Sequence, residues 1–324
     1  MANVGKNMTK YLTVPIVAFG TAAVMTGMTF DKTMSAVKAV TGTTGEEFQK
    51  LSDTARQLGR DTQFSATDAA QGMTILGQAG FDTNEILKAT PALLALAAAG
   101  GLELGDAASV MAATMNAFGE SADQTGRYAD VFAQAAATAA TDVASLGQAM
   151  SYGAPQAAAM GYSLEETAAI MAMFSNAGID STRAGTTFEA MMRDLKKKAT
   201  ECGGSLAFMT REGEKMSVSW YDAQGNTREF VDILADLEAA TAGMTSEQKE
   251  FVISQLTTTA GMRGLNIMMQ QGSANLDEFT QSLYNSGGAG EEMAATLRNN
   301  LAGAMEELKS SWEEVMLGFS EILT

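Results

Sequence analysis

The 324-residue chain has no histidine and a single cysteine, Cys202. Each scarcity closes off some chemistry. Without histidine there is no Ser-His or Cys-His catalytic pair, and the commonest metal ligand is missing. One cysteine cannot form an intramolecular disulfide or a thiolate-cluster zinc site. Basic residues are also short. Lys and Arg number 21 against 38 Asp and Glu, giving a formal net charge of −17 and an isoelectric point near 4.4. Such a surface repels a phosphate backbone, so no specific nucleic-acid binding is expected. The sequence contains no phosphate-cradling glycine loop followed by lysine, no zinc-binding helix motif and no calcium loop. No cofactor, metal site or catalytic residue is assigned. A cell-wall hydrolase would have to use paired acids, for which Glu165-Glu166, Glu306-Glu307 and Glu313-Glu314 are available. Each pair falls at a helix start or on a charged helix face, where acids serve capping, the helix dipole and solubility. The sequence therefore reads as a non-enzyme.

What is present is helix chemistry. With 46% hydrophobic residues the chain can bury a sizeable core. Ser65-Ala66-Thr67-Asp68 has the form of a capping box, in which a serine oxygen accepts a free amide and an acid reaches back. Similar openings recur at 102–108, 143–149 and 162–168, where Ser163 with Glu166 is the cleanest box, and Ser121 with Gln124 supplies another. Gly59, Gly80, Gly100-Gly101, Gly119, Gly161 and Gly178 mark helix ends. The starts are unevenly spaced, which excludes a solenoid of fixed period. Alanine lets the helix axes approach closely, and the 23 methionines fill gaps between them. The apolar segment from Thr90 to Ala99, with Pro91 in its first turn, reads as the central helix of a bundle or as a short membrane-seeking hairpin, and its length of about three turns, short of a span, favours the core.

After Leu195 the pattern shifts. Lys196-Lys197-Lys198 suits the solvated last turn of a helix. Met216 to Tyr221 alternates, and the turn-like Asp222 to Asn226 precedes Thr227, predicting a hairpin, with a third strand before Glu212-Gly213-Glu214. Helical spacing returns at Phe230, Ile233, Leu234 and Leu237, and helices are expected over 246–259 and 275–286. The fold class is mainly α: a multi-helix bundle of short Ala-rich helices, a small β-hairpin insertion near 206–229, and a long amphipathic C-terminal helix. The expected divisions are an uncharged N-terminal segment (1–30), a helical core (31–200), the hairpin insertion (201–230), a second helical part (231–290) and a heptad-patterned helix (291–324).

Two stretches invite functional readings. From Tyr11 to Phe30 there is no charge, and Val14, Ile16, Val17, Phe19, Val24 and Met25 are candidate membrane-active positions. Pro15, Gly20, Gly27 and several threonines dilute the segment. A buried or lumen-lining helix, a membrane-active segment and a signal peptide all remain open. In the last helix, Leu301, Met305, Leu308, Trp312, Val315, Phe319 and Ile322 alternate steps of four and three, a heptad seam with acids between its members. Self-association and packing onto the preceding domain both fit it, and its pattern is still running at Thr324.

Phe64 to Ala70, Ala79-Gly80-Phe81, Ala89-Thr90-Pro91 with its Leu-Ala-rich continuation, Gly161 to Ala169, Asn176 to Ile179 and Ala184-Gly185-Thr186 occur in an order that resembles the core of phage tail tape measure proteins. The resemblance runs from about Leu12 to the C-terminus and includes the turn at 221–226. It implies a virion protein of the tail lumen, assembled in the bacterial cytoplasm, that fills the tail tube, helps to set tail length and leaves ahead of the genome. It also implies contacts with tail tube and tail tip proteins, tail assembly chaperones and further copies of itself, and a possible encounter with the host membrane through residues 11–30. That family usually carries long coiled-coil flanks. Even a fully helical chain of this length would give a rod on the order of 490 Å, so the sequence reads as a core module rather than the whole ruler.

Overall fold

The fold is described from a computed structural model, whose described backbone covers residues 14–298 and 301–323, with side chains described over 23–297 and 308–320. It forms two compact units, residues 1–109 with 293–324 and residues 110–292. The chain passes from one unit to the other within helices, not at a composition break.

The first unit holds α1 (Val14–Thr41), α2 (Glu46–Asp61), α3 (Ala66–Gln78), α4 (Thr83–Gly100), the start of α5 (Leu104–Phe118), and α15 (Leu301–Leu323). The second holds the rest of α5, a short 3₁₀ turn (Ala122–Gln124), α6 (Thr125–Thr138), α7 (Val143–Ala158), α8 (Leu164–Asn176) and α9 (Ser181–Glu201). There follow strands β1 (Ser205–Met209) and β2 (Lys215–Ser219), then α10 (Phe230–Ala240), α11 (Ser246–Leu256), α12 (Thr259–Gln271) and α13 (Ser273–Tyr284). Helix α14 (Ala289–Arg298) leads back to the first unit. The chain is mainly α with one small antiparallel hairpin.

Local chemistry sets most helix starts. Complete capping boxes form at Ser65 with Asp68, where the amide-to-side-chain bonds are 3.0 and 3.1 Å, and at Ser163 with Glu166, at 2.9 and 3.1 Å. The same device begins α4 through Asp82 and Glu85, and α11 through Thr245 and Gln248. The box expected at Ser121 does not form: its side chain makes no capping bond, because a 3₁₀ turn follows in place of an α-helical one. Gly80, Gly101, Gly119, Gly161 and Gly178 follow helix ends in the left-handed region. Gly59 does not. It lies inside α2, buried, where a Cβ would fall 2.5 Å from the Ala66 nitrogen, so its small size serves a close approach of chain to chain. Pro91 also departs from expectation. It stands in the interior of α4, on the exposed side, where water can serve the Leu87 carbonyl that loses its helical donor.

In the hairpin, Leu206 faces Val218 and Phe208 faces Met216. The chain reverses at the earlier of the two expected turns, closed by the Thr210 amide donating to Glu214 at 2.8 Å. The Asp222 to Asn226 turn closes only a single bridge, Tyr221 to Thr227, so no third strand forms. The helix expected over 246–259 stops at Leu256, and α12 begins at Thr259, a break that periodicity did not show. Small residues bring α7 and α9 together: a Cβ on Gly185 would collide with the Ala149 carbonyl, and one on Gly153 would lie 3.0 Å from the Phe188 ring. In the same unit Phe132, Phe174, Phe188, Trp220 and Phe230 are fully buried.

Among the described residues no single helix is long and apolar enough to cross a membrane. Helices α4 and α5 meet such a test only as a pair, bent by 117° at the break between them.

Candidate assembly surface

Helix α15 is fixed within the first unit by one face. Ser310 donates to the Gln63 carbonyl at 2.9 Å. Glu313 accepts the Thr67 amide at 3.1 Å and the Thr67 hydroxyl at 2.6 Å, placing a carboxylate at the positive end of α3. Glu314 receives Arg60 at 2.8 Å and Arg56 at 3.3 Å. Met316, Leu317 and Ser320 complete the inner face as buried residues. Gly27 of α1 permits the approach, since a Cβ there would lie 2.5 Å from the Ser320 hydroxyl oxygen.

The predicted seam lies on the other side of the same helix. Leu308 is 64% exposed, Trp312 54%, Val315 45% and Phe319 45%. The packing within the unit therefore uses a stripe different from the heptad stripe. Leu301, Met305 and Ile322 belong to the same spacing, and their side chains lie outside the described residues. Burying a half-exposed side chain of this size is worth on the order of 1 kcal/mol. Beside the stripe stand Ser311 and Gly318, small and uncharged, and a Cβ on Gly318 would meet nothing within 4 Å. The acids Glu313 and Glu314 are turned inward. In a chain of net charge −17, the outward stripe of α15 is thus apolar and nearly neutral.

Of the N-terminal candidates, Val24 is half-buried and Met25 exposed, as is Met28 one turn on. Val14, Ile16, Val17 and Phe19 fall on helical backbone whose side chains lie outside the described residues.

The acid pairs have structural partners. Glu165, buried at 1% exposure, takes both ends of Arg127 at 2.6 Å. That hydrogen bond holds the Arg127 guanidinium above its ordinary range. Glu166 closes the α8 capping box. Burial raises its carboxyl above the usual value, the Ser163 amide and hydroxyl pull it back, and Glu229 adds a like charge. Burial likewise raises the phenols of Tyr128 and Tyr162. Glu306 and Glu307 lie outside the described side chains. Among the described residues no group of three or more acids or cysteines is placed to hold a metal ion.

A second use of carboxylates, at the start of a helix other than their own, has no local signal in the sequence. Asp194 accepts the Thr258 amide at 2.9 Å and the Thr258 hydroxyl at the start of α12. Glu238 accepts the Ser273 amide at 3.0 Å and hydroxyl at 2.6 Å at the start of α13. Asp130 accepts the amides of Gly288 and Gly290, each at 2.9 Å, at the start of α14.

Comparison places this helical scaffold among phage tail proteins. Residues 52–257 match the phage-related minor tail protein family, and the chain belongs to that family. It is 38% identical over 323 residues to the tape measure protein of Pneumococcus phage Dp-1, covering 100% of this chain and 28% of that protein. It is 30% identical over 311 residues to the probable tape measure protein of Escherichia phage P2, covering 93% of this chain and 37% of that one. The chain thus spans about a third of the length of these curated relatives. No solved structure gives a significant match.

Proposed function

We propose that this chain is the helical core module of a tape measure protein, a component of the tail lumen assembled in the host cytoplasm, which helps to set tail length and leaves ahead of the genome. Alignment of the whole chain with tape measure proteins supports that role. The partners are the tail tube and tip proteins, the assembly chaperones and further copies of the chain.

One structural observation carries the assembly part of this reading. Leu308, Trp312, Val315 and Phe319 of the heptad stripe are 45–64% exposed, on a side of α15 other than the one that Ser310, Glu313 and Glu314 anchor. A stripe of this spacing buries itself best against another helix of the same spacing, and bulky Trp312 and Phe319 find room against the small Ser311 and Gly318 of a second copy. Negative charge elsewhere on the surface opposes contact between copies, so the stripe is where they can meet.

Light scattering after size exclusion tests it on the full chain. The parent is expected to run as a dimer or larger at tens of micromolar, and the Trp312→Ala/Phe319→Ala variant as a monomer with unchanged helix content by circular dichroism. Equal masses for the two proteins would remove the stripe from the assembly.

A further inference from the structure

Acids outnumber bases 38 to 21, and the arginines show it. Of the eight with described side chains, seven pair with a carboxylate, from Arg56 and Arg60 on Glu314 to Arg228 on Asp236. Among the described residues Arg263 is the exception. It lines an open groove of about 470 Å³ in the second unit together with Arg183, Thr186, Thr187, Thr259 and Ala260. Two arginines from the neighbouring helices α9 and α12 therefore line a space whose lining contains no carboxylate, while the Thr186 hydroxyl is turned back onto the Thr182 carbonyl at 3.0 Å.

The nearest acids lie outside its lining. Asp180 meets Arg183 at 3.4 Å, but the two side chains are 59% and 70% exposed, so that pair is weak and readily exchanged. Asp194 is engaged with the amide and hydroxyl of Thr258, one residue before α12 begins. The Thr259 and Ala260 amides that follow lie in the first turn of α12, where helical geometry offers them no acceptor.

We propose that this groove binds a small tetrahedral oxyanion of the phosphate class. A guanidinium offers paired donors that match two phosphate oxygens, and two such forks from separate helices fix the orientation of one such group. The body of a long polyanion is disfavoured, because the chain's own charge of −17 repels it within the screening length of roughly 8 Å at physiological salt, which leaves an isolated or terminal group as the ligand. The group is either free phosphate or the phosphorylated end of a nucleic acid. The inference is independent of the α15 stripe.

Calorimetric titration of the full chain with sodium phosphate, against sodium chloride at matched ionic strength, tests the site. Saturable phosphate binding is expected, weakened about tenfold or more in Arg263→Gln and in Arg183→Gln. Both side chains are exposed, so melts without phosphate should not change. A 5′-phosphorylated trinucleotide that displaces phosphate, while its unphosphorylated form does not, assigns the group to a nucleic-acid end; displacement by neither assigns it to free phosphate. No saturable binding, unchanged binding in the variants, or equal displacement by both trinucleotides would overturn the site.

Discussion

At the scale of single residues, Glu166 sets two demands against each other. Its capping role needs an acceptor for the Ser163 amide, while burial disfavours the charge, and its Oε1 is buried without a hydrogen bond. A carboxyl raised in the folded state contributes most below its unfolded value, and that contribution is lost as pH rises through the folded value. Glu166→Gln keeps an acceptor and removes the charge. It is expected to be more stable than the parent at pH 7, by about 1 kcal/mol, with the difference vanishing below about pH 4.5. Denaturant melts at both pH values check this, and a variant less stable at pH 7 would show that the charge is needed for the cap. The Ser163-Glu166 box was legible in the sequence because both partners lie within one turn. Gly59 and Pro91 were not, since a glycine that ends a helix and one that admits a neighbour look alike until the neighbour is known, and a proline tolerated in an interior depends on which side faces water.

Elements were legible where a local signal repeats and illegible where the partner is distant. The heptad spacing in α15 showed a stripe but not which way it points. That is decided by Ser310, Glu313 and Glu314 on the opposite face, whose partners lie some 250 residues earlier in the chain. The hairpin was placed correctly in the chain and assigned to the wrong turn, because both turns carry glycine and acids. The carboxylates that fasten other helices were invisible for the same reason of distance. Asp194 is the clearest of them, bonded twice to Thr258 and given room by Gly261, where a Cβ would lie 2.9 Å from its Oδ2. Asp194→Ala should cost about 1–2 kcal/mol, the usual cost of a lost cap, and Asp194→Asn less. Chemical denaturation measures both. A loss under about 0.5 kcal/mol for the alanine variant would mean that water replaces the carboxylate at no cost.

For the whole molecule, charge dominates. A formal charge of −17 on 33.9 kDa implies that like-charge repulsion opposes compaction. Several acids are drawn into ion pairs or helix starts. Raising sodium chloride from about 10 to about 300 mM shortens the screening length severalfold. The melting temperature should rise, by about 2–4 °C for each kcal/mol of repulsion relieved. A fall would mean that the ion pairs outweigh the repulsion. The mainly α character was plain from composition and capping. The two units were not, because the chain crosses between them inside α5 and α14, and a helix that continues through a boundary leaves no break in composition.

The fastening of α12, α13 and α14, each at its first amides by one acid of an earlier helix, bears on how the second unit would yield to tension. A pull on its later end loads these attachments in turn, starting with the one nearest the force. The unit would then lengthen in several modest increments, each limited by a carboxylate and a handful of contacts, where a uniformly knitted core would give way in one large rupture.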